Sequence, residues 1–188
     1  DCAHDLGSLG PTGRGLMEIQ HCLGQIDIVM GSFSKSFASN GGFVASNHPA
    51  LKTALRYGSG PLTFSNALSP IQAAVVLEAL NIIQSPEGLE RRQRLLKNAK
   101  RLRDGLTDAS FKVLGDPSAI VPVVLGDSAF SRQFTAEVLK HGAVVNLVEH
   151  PAVARNACRW RLQVMADHTD GQIDEFLASA TRLTQIQV

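Results

Sequence analysis

The sequence predicts an α/β protein, and three observations lead to that prediction. Residues 26–30 form a short apolar run rich in β-branched side chains, which is typical of a strand buried on both faces. Residues 71–83 and 89–108 carry apolar side chains at helical spacing. From residue 111 onwards, strand patterns and helix patterns alternate, which is typical of a compact α/β or α+β unit.

The composition excludes several classes of protein. A chain of 188 residues with 44% hydrophobic and 19% charged residues can hold one or two ordinary folded domains. The net charge of +1 gives no basis for binding nucleic acid or an anionic membrane electrostatically. No apolar run approaches the roughly 20 residues of a membrane span. The three cysteines lack metal-ligand spacing, so we expect no metal site and reduced thiols in a cytoplasmic protein.

The first thirty residues are predicted to contain a loop, a short helix and a strand. Glycine is so frequent in residues 6–15 that this segment should be irregular. Arg14 within it is either an anchor for the loop or a solvent-facing charge, and both interpretations stay open. A short helix is expected over residues 16–23, and the strand over 26–30 follows it.

Lys35 follows that strand and places an amine among small hydroxyl side chains. Ser32, Ser34 and Ser36 are hydroxyl donors that suit a phosphate, and the Gly41-Gly42 pair allows a close approach of the backbone. An amine beside anion-binding hydroxyls is what a phosphorylated aldehyde cofactor needs for a Schiff base. A surface lysine after a strand is the alternative that this stretch alone leaves open.

A short strand over residues 42–46 and a helix over 49–57 come next. The following helix has apolar side chains over 71–83 on nearly all sides, so we expect it to be buried. Ser65 and Asn66 can cap its beginning, where free amides and the helix dipole favour an anion. A plain N-cap is the alternative role for Ser65.

A domain boundary is predicted at residues 86–88, which divides the chain into domains of residues 1–86 and 87–188. The long helix over 89–108 is basic, and its charges are most simply a solvated face. A basic patch for an acyl carrier or nucleic acid is the alternative. The remaining elements are strands over 111–114, 120–125, 143–148 and 160–165, with helices over 128–141 and 170–186.

Two arginines alternate with apolar residues at the start of the last predicted strand. Period two places Arg159 and Arg161 on one face of the strand, with Trp160 and Leu162 on the other. An arginine in mid-strand is costly to bury without a partner. A planar site for a carboxylate is therefore a reasonable role for one of them, and a structural salt bridge is the alternative.

Five motifs occur in an order that resembles the α-oxoamine synthases, pyridoxal-phosphate enzymes of the fold-type-I (aspartate aminotransferase-like) superfamily. The resemblance covers essentially the whole chain. It implies the C-terminal part of the cofactor-binding large domain and a small α/β C-terminal domain, with an N-terminal half absent, so we expect a fragment. The motifs are Asp1-Cys2-Ala3-His4, the Gly-Pro-Thr-Gly-Arg-Gly run at 10–15, Ser32-Phe33-Ser34-Lys35, Phe64-Ser65-Asn66, and Arg161 ahead of Ala166-Asp167-His168-Thr169.

The resemblance implies roles for the residues around the cofactor, pyridoxal 5′-phosphate. Asp1 matches the aspartate that pairs with the pyridinium nitrogen, and His4 matches the histidine that hydrogen-bonds the ring's phenolic oxygen. Ser32 stands where a threonine usually binds the phosphate, and the hydroxyl of Ser34 lies close by in sequence. Lys35 matches the Schiff-base lysine, which also moves protons at the α-carbon of the substrate.

Two further residues match family positions outside that cluster. Ser65 matches a hydroxyl residue that reaches the phosphate in the neighbouring subunit, which implies a homodimer with shared active sites. Arg161 matches the arginine that holds the carboxylate of the amino-acid substrate, which leaves Arg159 as the more structural of the pair. Cys2 departs from the usual Asp-Glu-Ala-His pattern, but that position is not a cofactor ligand.

The activity that the resemblance implies is a decarboxylative condensation of an amino acid with an acyl thioester, carried by coenzyme A or an acyl carrier protein. Residues 32–36, 41–49 and 145–147 are most similar to bacterial serine palmitoyltransferases. An aminotransferase on the same fold is a second interpretation. A non-catalytic partner subunit is a third, which the presence of Lys35 disfavours. We expect the chain alone to bind the cofactor weakly or not at all.

Overall fold

The computed structural model describes residues 1–186 and confirms the α/β class. The chain packs as two compact units, of which the first is Asp1–Arg92 and the second begins at Gln93. The helix Pro86–Asp108 runs through this division without a break. The predicted boundary at residues 86–88 therefore coincides with the start of a helix, and the two domains stay a prediction.

The first unit begins with the glycine-rich loop, residues 6–15, which is irregular as predicted. It is followed by helix α1 (Leu16–Ile19), which is shorter than the predicted helix over 16–23. The carboxylate of Glu18 accepts hydrogen bonds from the amides of Thr12 at 3.1 Å and Arg14 at 3.2 Å. These bonds anchor the backbone of Arg14 in the loop, while its side chain is exposed.

A two-stranded antiparallel sheet, β1 (Val29–Ser32) and β2 (Gly42–Ala45), carries the Lys35 turn. The prediction of a doubly buried strand over residues 26–30 was wrong. Strand β1 begins three residues later, and Ile28 is 53% exposed. Among the described residues β1 pairs with β2 alone, so it is not the central strand of a covered sheet. The apolar composition predicted the strand but not what covers it.

Three helices complete the first unit: α2 (Pro49–Gly58), α3 (Gly60–Phe64) and α4 (Pro70–Gln84). Helix α2 confirms the prediction over residues 49–57, whereas the short helix α3 was not predicted. The prediction that α4 is buried was wrong, since Ile71 is 79% exposed and Leu77 is 60% exposed. Apolar side chains surround α4, but the described chain does not cover them all.

The cap of α4 also differs from the prediction that named Ser65 and Asn66. Ser69 is the N-cap, because its hydroxyl accepts a hydrogen bond from the amide of Gln72 at 3.3 Å. In turn, the Oε1 of Gln72 accepts a hydrogen bond from the amide of Ser69 at 3.2 Å, which completes a capping box. Pro70 fits the first helical position because its ring fixes φ. The helix therefore begins four residues beyond Asn66.

Helix α5 (Pro86–Asp108) is amphipathic, as its spacing predicted, and it begins three residues earlier than expected. In the second unit its cations form ion pairs with the last helix, α7 (Asp170–Ile186). Arg101 binds both oxygens of Asp174 at 2.7 and 2.8 Å, and Lys97 lies 3.6 Å from Asp170. These partners favour a solvated structural face over a basic docking patch.

The second unit is a four-stranded antiparallel sheet with helices α5, α6 (Ser128–Lys140) and α7 around one core. Trp160 is fully buried and stacks on Phe134 with ring centroids 5.0 Å apart. The predicted elements of this unit are all present, although the strand expected over residues 143–148 is formed only by the last three of them. The strand order is β3-β4-β6-β5, formed by Lys112–Val113, Ile120–Gly126, Cys158–Gln163 and Asn146–Val148.

None of the helices in residues 1–186 combines the length and the apolar character that crossing a bilayer requires.

Candidate active site

Lys35 lies on a tight turn that leaves β1 and returns to β2. The amide of Phe33 donates to the carbonyl of Gly41 at 3.0 Å, and the amide of Ser39 donates to the carbonyl of Phe33 at 2.9 Å. Within the turn, the carbonyl of Lys35 accepts a bond from the amide of Ala38 at 2.9 Å. The backbone at Lys35 is therefore fixed, while its side chain is exposed.

Aromatic side chains pack against one another within the same turn and hold it in place. The ring centroid of Phe33 lies 5.5 Å from that of Phe37 and 5.7 Å from that of Phe43. Phe37 is buried, at 7% exposure. The hydroxyl of Ser39 donates to the carbonyl of Gln72 on α4 at 3.3 Å. Lys35 thus extends from a turn that is held by side-chain packing rather than from a loose loop.

Ser32 and Ser34 form a hydroxyl pair beside the lysine in sequence. Their Oγ atoms lie 2.7 Å apart, and the amide of Ser34 donates to the Oγ of Ser32 at 3.2 Å. Ser32 is half-buried at the end of β1, and Ser34 is exposed. Two hydroxyl groups and a lysine within four residues provide hydrogen-bond donors and a cation, which suits a phosphate.

The segment of residues 1–4 lies along β1. The amide of Cys2 donates to the carbonyl of Met30 at 2.8 Å, and Asp1 Oδ1 accepts a bond from the amide of Ala3 at 2.8 Å. Asp1 and His4 are exposed, whereas Cys2 is buried. Burial, aided by the nearby Asp5 carboxylate, raises the pKa of the Cys2 thiol. Cys2 is therefore suited to packing rather than to nucleophilic chemistry.

Ser65 lies apart from this cluster in its local bonding. It follows the last residue of α3, is exposed, and its hydroxyl donates to the carbonyl of Pro61 within the same helical turn. It does not cap α4. Its proposed contact with a cofactor phosphate across a subunit interface stays a prediction.

In the second unit, the predicted alternation along β6 is confirmed. Trp160 is fully buried, while Arg159 and Arg161 are half-buried on the opposite face. Arg161 stands opposite Pro122 of β4 and Asn146 of β5. The Nε of Arg159 donates to the carbonyl of Ala157 at 3.2 Å, which is a structural role. Arg161 also lines a cleft of about 580 Å³.

Sequence reasoning missed the residue that holds the motif after Arg161. Asn98 of α5 is 4% exposed, and its Nδ2 donates to the carbonyl of His168 at 2.8 Å and to that of Met165 at 3.1 Å. The Nδ1 of His168 accepts a bond from the amide of Met165 at 3.3 Å. An asparagine among the apolar positions of a helix was the available signal.

The chain belongs to the family of class I and II aminotransferases, which matches residues 1–179. Within that family it is related to the α-oxoamine synthases. It is 34% identical to 8-amino-7-oxononanoate synthase of Geobacter metallireducens, over 95% of this chain and 45% of the relative. It is also 34% identical to 2-amino-3-ketobutyrate coenzyme A ligase of Escherichia coli K12, over 97% of this chain and 46% of the relative.

A solved structure shows the same similarity in three dimensions. Serine palmitoyltransferase from S. paucimobilis, with a bound PLP–myriocin aldimine, superposes with a TM-score of 0.88 at 34% identity. The match covers 98% of this chain and 46% of that protein. The chain therefore spans about half the length of the relatives it matches, and the fold corresponds to about the C-terminal half of theirs.

The residues present fit the cofactor that this family uses, pyridoxal phosphate. The Ser32–Ser34 hydroxyl pair, 2.7 Å apart, can donate to phosphate oxygens, and the exposed amine of Lys35 can reach an aldehyde. Asp1 Oδ1 is engaged by a backbone amide, and a carboxylate has further acceptor sites for a protonated ring nitrogen. These donors and acceptors are thus of the types that the phosphate, the aldehyde and the pyridine nitrogen of the cofactor require.

Proposed function

We propose that this chain is the lysine-bearing part of an α-oxoamine synthase, with residues 1–86 in the cofactor-binding domain and 87–188 in a small domain. The reaction joins an amino acid to an acyl thioester and releases carbon dioxide and the thiol, leaving an aminoketone. The observation on which the proposal rests is the anchored turn that exposes Lys35 beside the Ser32–Ser34 hydroxyl pair. A mere surface lysine would need neither the hydroxyl pair nor the aromatic base.

Pyridoxal phosphate, when bound, supplies an aldehyde for amines and a ring that withdraws electrons from the α-carbon of an amino acid. Ser32 and Ser34 would hold its phosphate, and Asp1 would keep its ring nitrogen protonated. His4 would donate to the phenolic oxygen of the ring. Lys35 would hold the aldehyde carbon and would carry the proton to and from the α-carbon of the substrate.

Arg161 is proposed to bind the carboxylate of the amino acid through two parallel hydrogen bonds. That carboxylate leaves as carbon dioxide after the carbon–carbon bond has formed, so its orientation decides which bond breaks. Arg161 lines the cleft of about 580 Å³ in the second unit, which supports its choice over Arg159. The similarity to serine palmitoyltransferase favours serine and a long-chain acyl thioester, carried by coenzyme A or an acyl carrier protein.

The apolar surface of the first unit supports a homodimer and a further polypeptide segment as its partners. Phe64 is 90% exposed and Tyr57 is 83% exposed, and large exposed apolar side chains grouped in one region mark interaction surfaces. Ser65 follows Phe64 directly, so a second subunit bound there would lie next to its hydroxyl. We also propose a cytoplasmic location, in which the three thiols stay reduced.

Labelling tests the assignment of Lys35 in the intact enzyme that contains this chain. After incubation with pyridoxal phosphate and reduction with borohydride, peptide mapping should place the pyridoxyl group on Lys35. Lys52, on the exposed surface of α2, is the internal control. A pyridoxyl group on Lys52 or another lysine would overturn the assignment, as would equal labelling after Lys35→Arg.

Product analysis separates the condensation from transamination. With the amino acid alone, an aminotransferase releases a 2-oxo acid, whereas the proposed enzyme releases none and waits for the acyl thioester. Carbon dioxide and the free thiol should then form in equal amounts. Release of a 2-oxo acid without an acyl donor would establish the aminotransferase, and a chain that labels at Lys35 but never turns over would support a partner subunit.

A further inference from the structure

Gly7 of the glycine-rich loop lies directly against Ser36, the residue after Lys35. A Cβ atom at Gly7 would lie 2.9 Å from the Cβ of Ser36 and 2.8 Å from Cδ1 of Ile83, closer than real side chains come. Gly7 also has φ at +81°, a conformation that favours glycine. The backbone of the loop is therefore in contact with the Lys35 turn, and a side chain at position 7 would collide with Ser36 unless the turn moved.

A second glycine holds Gly7 in this place. The amide of Gly7 donates to the carbonyl of Gly13 at 2.8 Å, across the loop. A Cβ atom at Gly13 would lie 2.8 Å from Cγ2 of Ile83 and 3.2 Å from Nη1 of Arg92. The loop thus fits closely between the Lys35 turn, the end of α4 and the first turns of α5.

Arg92 supports the far side of the loop. Its side chain is buried, at 6% exposure, with Nη1 donating to the carbonyl of Ile83 at 2.7 Å and Nη2 to that of Pro11 at 2.9 Å. No ion pair forms at Arg92 among residues 1–186, and its buried Nε has no partner there. A buried cation held only by carbonyl oxygens is costly. This buried guanidinium therefore lies at the contact between the loop and the end of α4.

The amine of Lys35 makes no hydrogen bond or ion pair within the described part of the chain, so the backbone turn alone fixes the point from which the side chain extends. We propose that the contact of Gly7 with Ser36, supported through Gly13 by Arg92, positions Lys35 for bond formation with the cofactor. This inference rests on the proposed function, and it adds Gly7 and Arg92 as positioning residues that touch neither cofactor nor substrate.

Paired variants in the intact enzyme test the contact itself. Gly7→Ala is made in the wild-type background and in a Ser36→Gly background, where the opposing Cβ is gone. The strain from the positive φ is common to both. We expect the rate constant for covalent attachment of pyridoxal phosphate to Lys35 to fall about tenfold or more in the first background and less than about threefold in the second. Equal losses in the two backgrounds would overturn the contact.

Arg92→Met tests the support, with Arg91→Met as the matched control. Arg91 is the exposed neighbour on α5 and binds Glu87 at 2.7 Å. The attachment rate per folded molecule, with folding checked by circular dichroism, should fall about tenfold for Arg92→Met and stay within about threefold for Arg91→Met. Arg92→Lys, which can keep one carbonyl contact, should lie between them.

The outcomes of these two experiments remain distinguishable from failure of the proposed function. A wild-type enzyme without cofactor on Lys35 would overturn the proposed function, and this inference with it. A wild-type enzyme that labels normally, with Arg92→Met equal to Arg91→Met in rate per folded molecule, would overturn the support alone and make Arg92 a purely structural residue.

Discussion

The two packing units of the chain differ in how completely each buries its own apolar side chains. In the second unit, Trp160, Leu106 and Val138 are at 0% exposure inside one core that its strands and helices share. In the first unit, the buried apolar residues of the described chain are Cys2, Leu9 and Phe37. Helix α4, the longest helix that lies entirely within the first unit, has no buried residue.

That difference separates a unit that buries its own apolar side chains from a unit that leaves most of them exposed. The helices of the second unit have one apolar face and one charged face, and they bury the first within the unit. Helix α4 is apolar nearly all round, a pattern that belongs to a helix covered on every side. The proposed partners of the first unit, a second subunit and a further segment, would cover this surface.

The largest effect that would test this comparison is the cost of truncating a core side chain. Trp160→Ala removes a fully buried ring and its hydrogen bond from Nε1 to Thr135, so it should lower the free energy of unfolding of the 188-residue chain by about 3–5 kcal/mol. Ile71→Ala on α4 should change it by less than about 0.5 kcal/mol. Urea unfolding measures both changes. It is followed by circular dichroism because Trp160→Ala removes the only tryptophan and with it the tryptophan fluorescence signal.

Val144→Ala provides the control within the second unit, because Val144 is 85% exposed and should behave like Ile71. A large cost for Ile71→Ala that disappears on dilution would show that α4 is covered by another copy in solution. A large cost at every dilution would contradict the exposure of α4 described here.

A somewhat smaller effect is expected at the substrate arginine of the intact enzyme. Arg161→Lys should weaken amino-acid binding by about 2–4 kcal/mol, because lysine cannot form two parallel hydrogen bonds to a carboxylate. The absorption spectrum of the resting enzyme should not change, since Arg161 touches no cofactor atom in the proposed site. Titration with the amino acid measures both quantities.

Arg159→Lys is the matched control on the same face of β6. It should leave substrate affinity nearly unchanged and lower stability instead, because Arg159 binds the carbonyl of Ala157. If Arg159 variants lose the amino acid while Arg161 variants keep it, the two roles have been assigned to the wrong residues.

The smallest effect concerns the ion pairs between α5 and α7. The hydrogen bond from Arg101 holds the pKa of Asp174 below its ordinary value of 3.8. A carboxyl group with a lowered pKa in the folded state stabilises it above pH 3.8, and that contribution is lost as the pH falls through the lowered pKa. Asp174→Asn should therefore flatten the acid limb of the stability profile, as measured by urea unfolding at a series of pH values.

Asp116→Asn is the control for this experiment, since Asp116 is exposed and forms no ion pair within residues 1–186. It should leave the acid limb unchanged. Equal flattening by both variants would mean that general charge, rather than the bond to Arg101, sets the acid sensitivity of the second unit.

The parts of the candidate site whose local structure could be predicted from the sequence lie close together in the chain. Ser32, Ser34 and Lys35 fall within four residues, and their arrangement on a turn after a strand follows from that local pattern. The alternation of Arg159 and Arg161 was predicted and confirmed, because period two is a property of any strand. The Ser69 cap was missed although Pro70 and Gln72 indicated it locally.

The contacts that sequence reasoning did not find join residues far apart in the chain. Asn98 binds the loop at residues 165–168, Gly7 touches Ser36, and Arg92 reaches Pro11. Each pair becomes close only when separate elements pack, and no local pattern encodes that meeting. Glycine density at residues 6–15 predicted an irregular loop, but not the surface that the loop contacts.

By itself the sequence determined the class of the fold, most elements of the second unit, the Lys35 turn and the family motifs. These follow from hydrophobic period, turn residues and caps, which act over a few neighbouring residues. Only the tertiary structure decided which apolar surfaces are buried. Burial depends on what packs against a side chain. The strand at residues 26–30 and helix α4 were therefore predicted to be buried, whereas the described residues leave much of their apolar surface exposed.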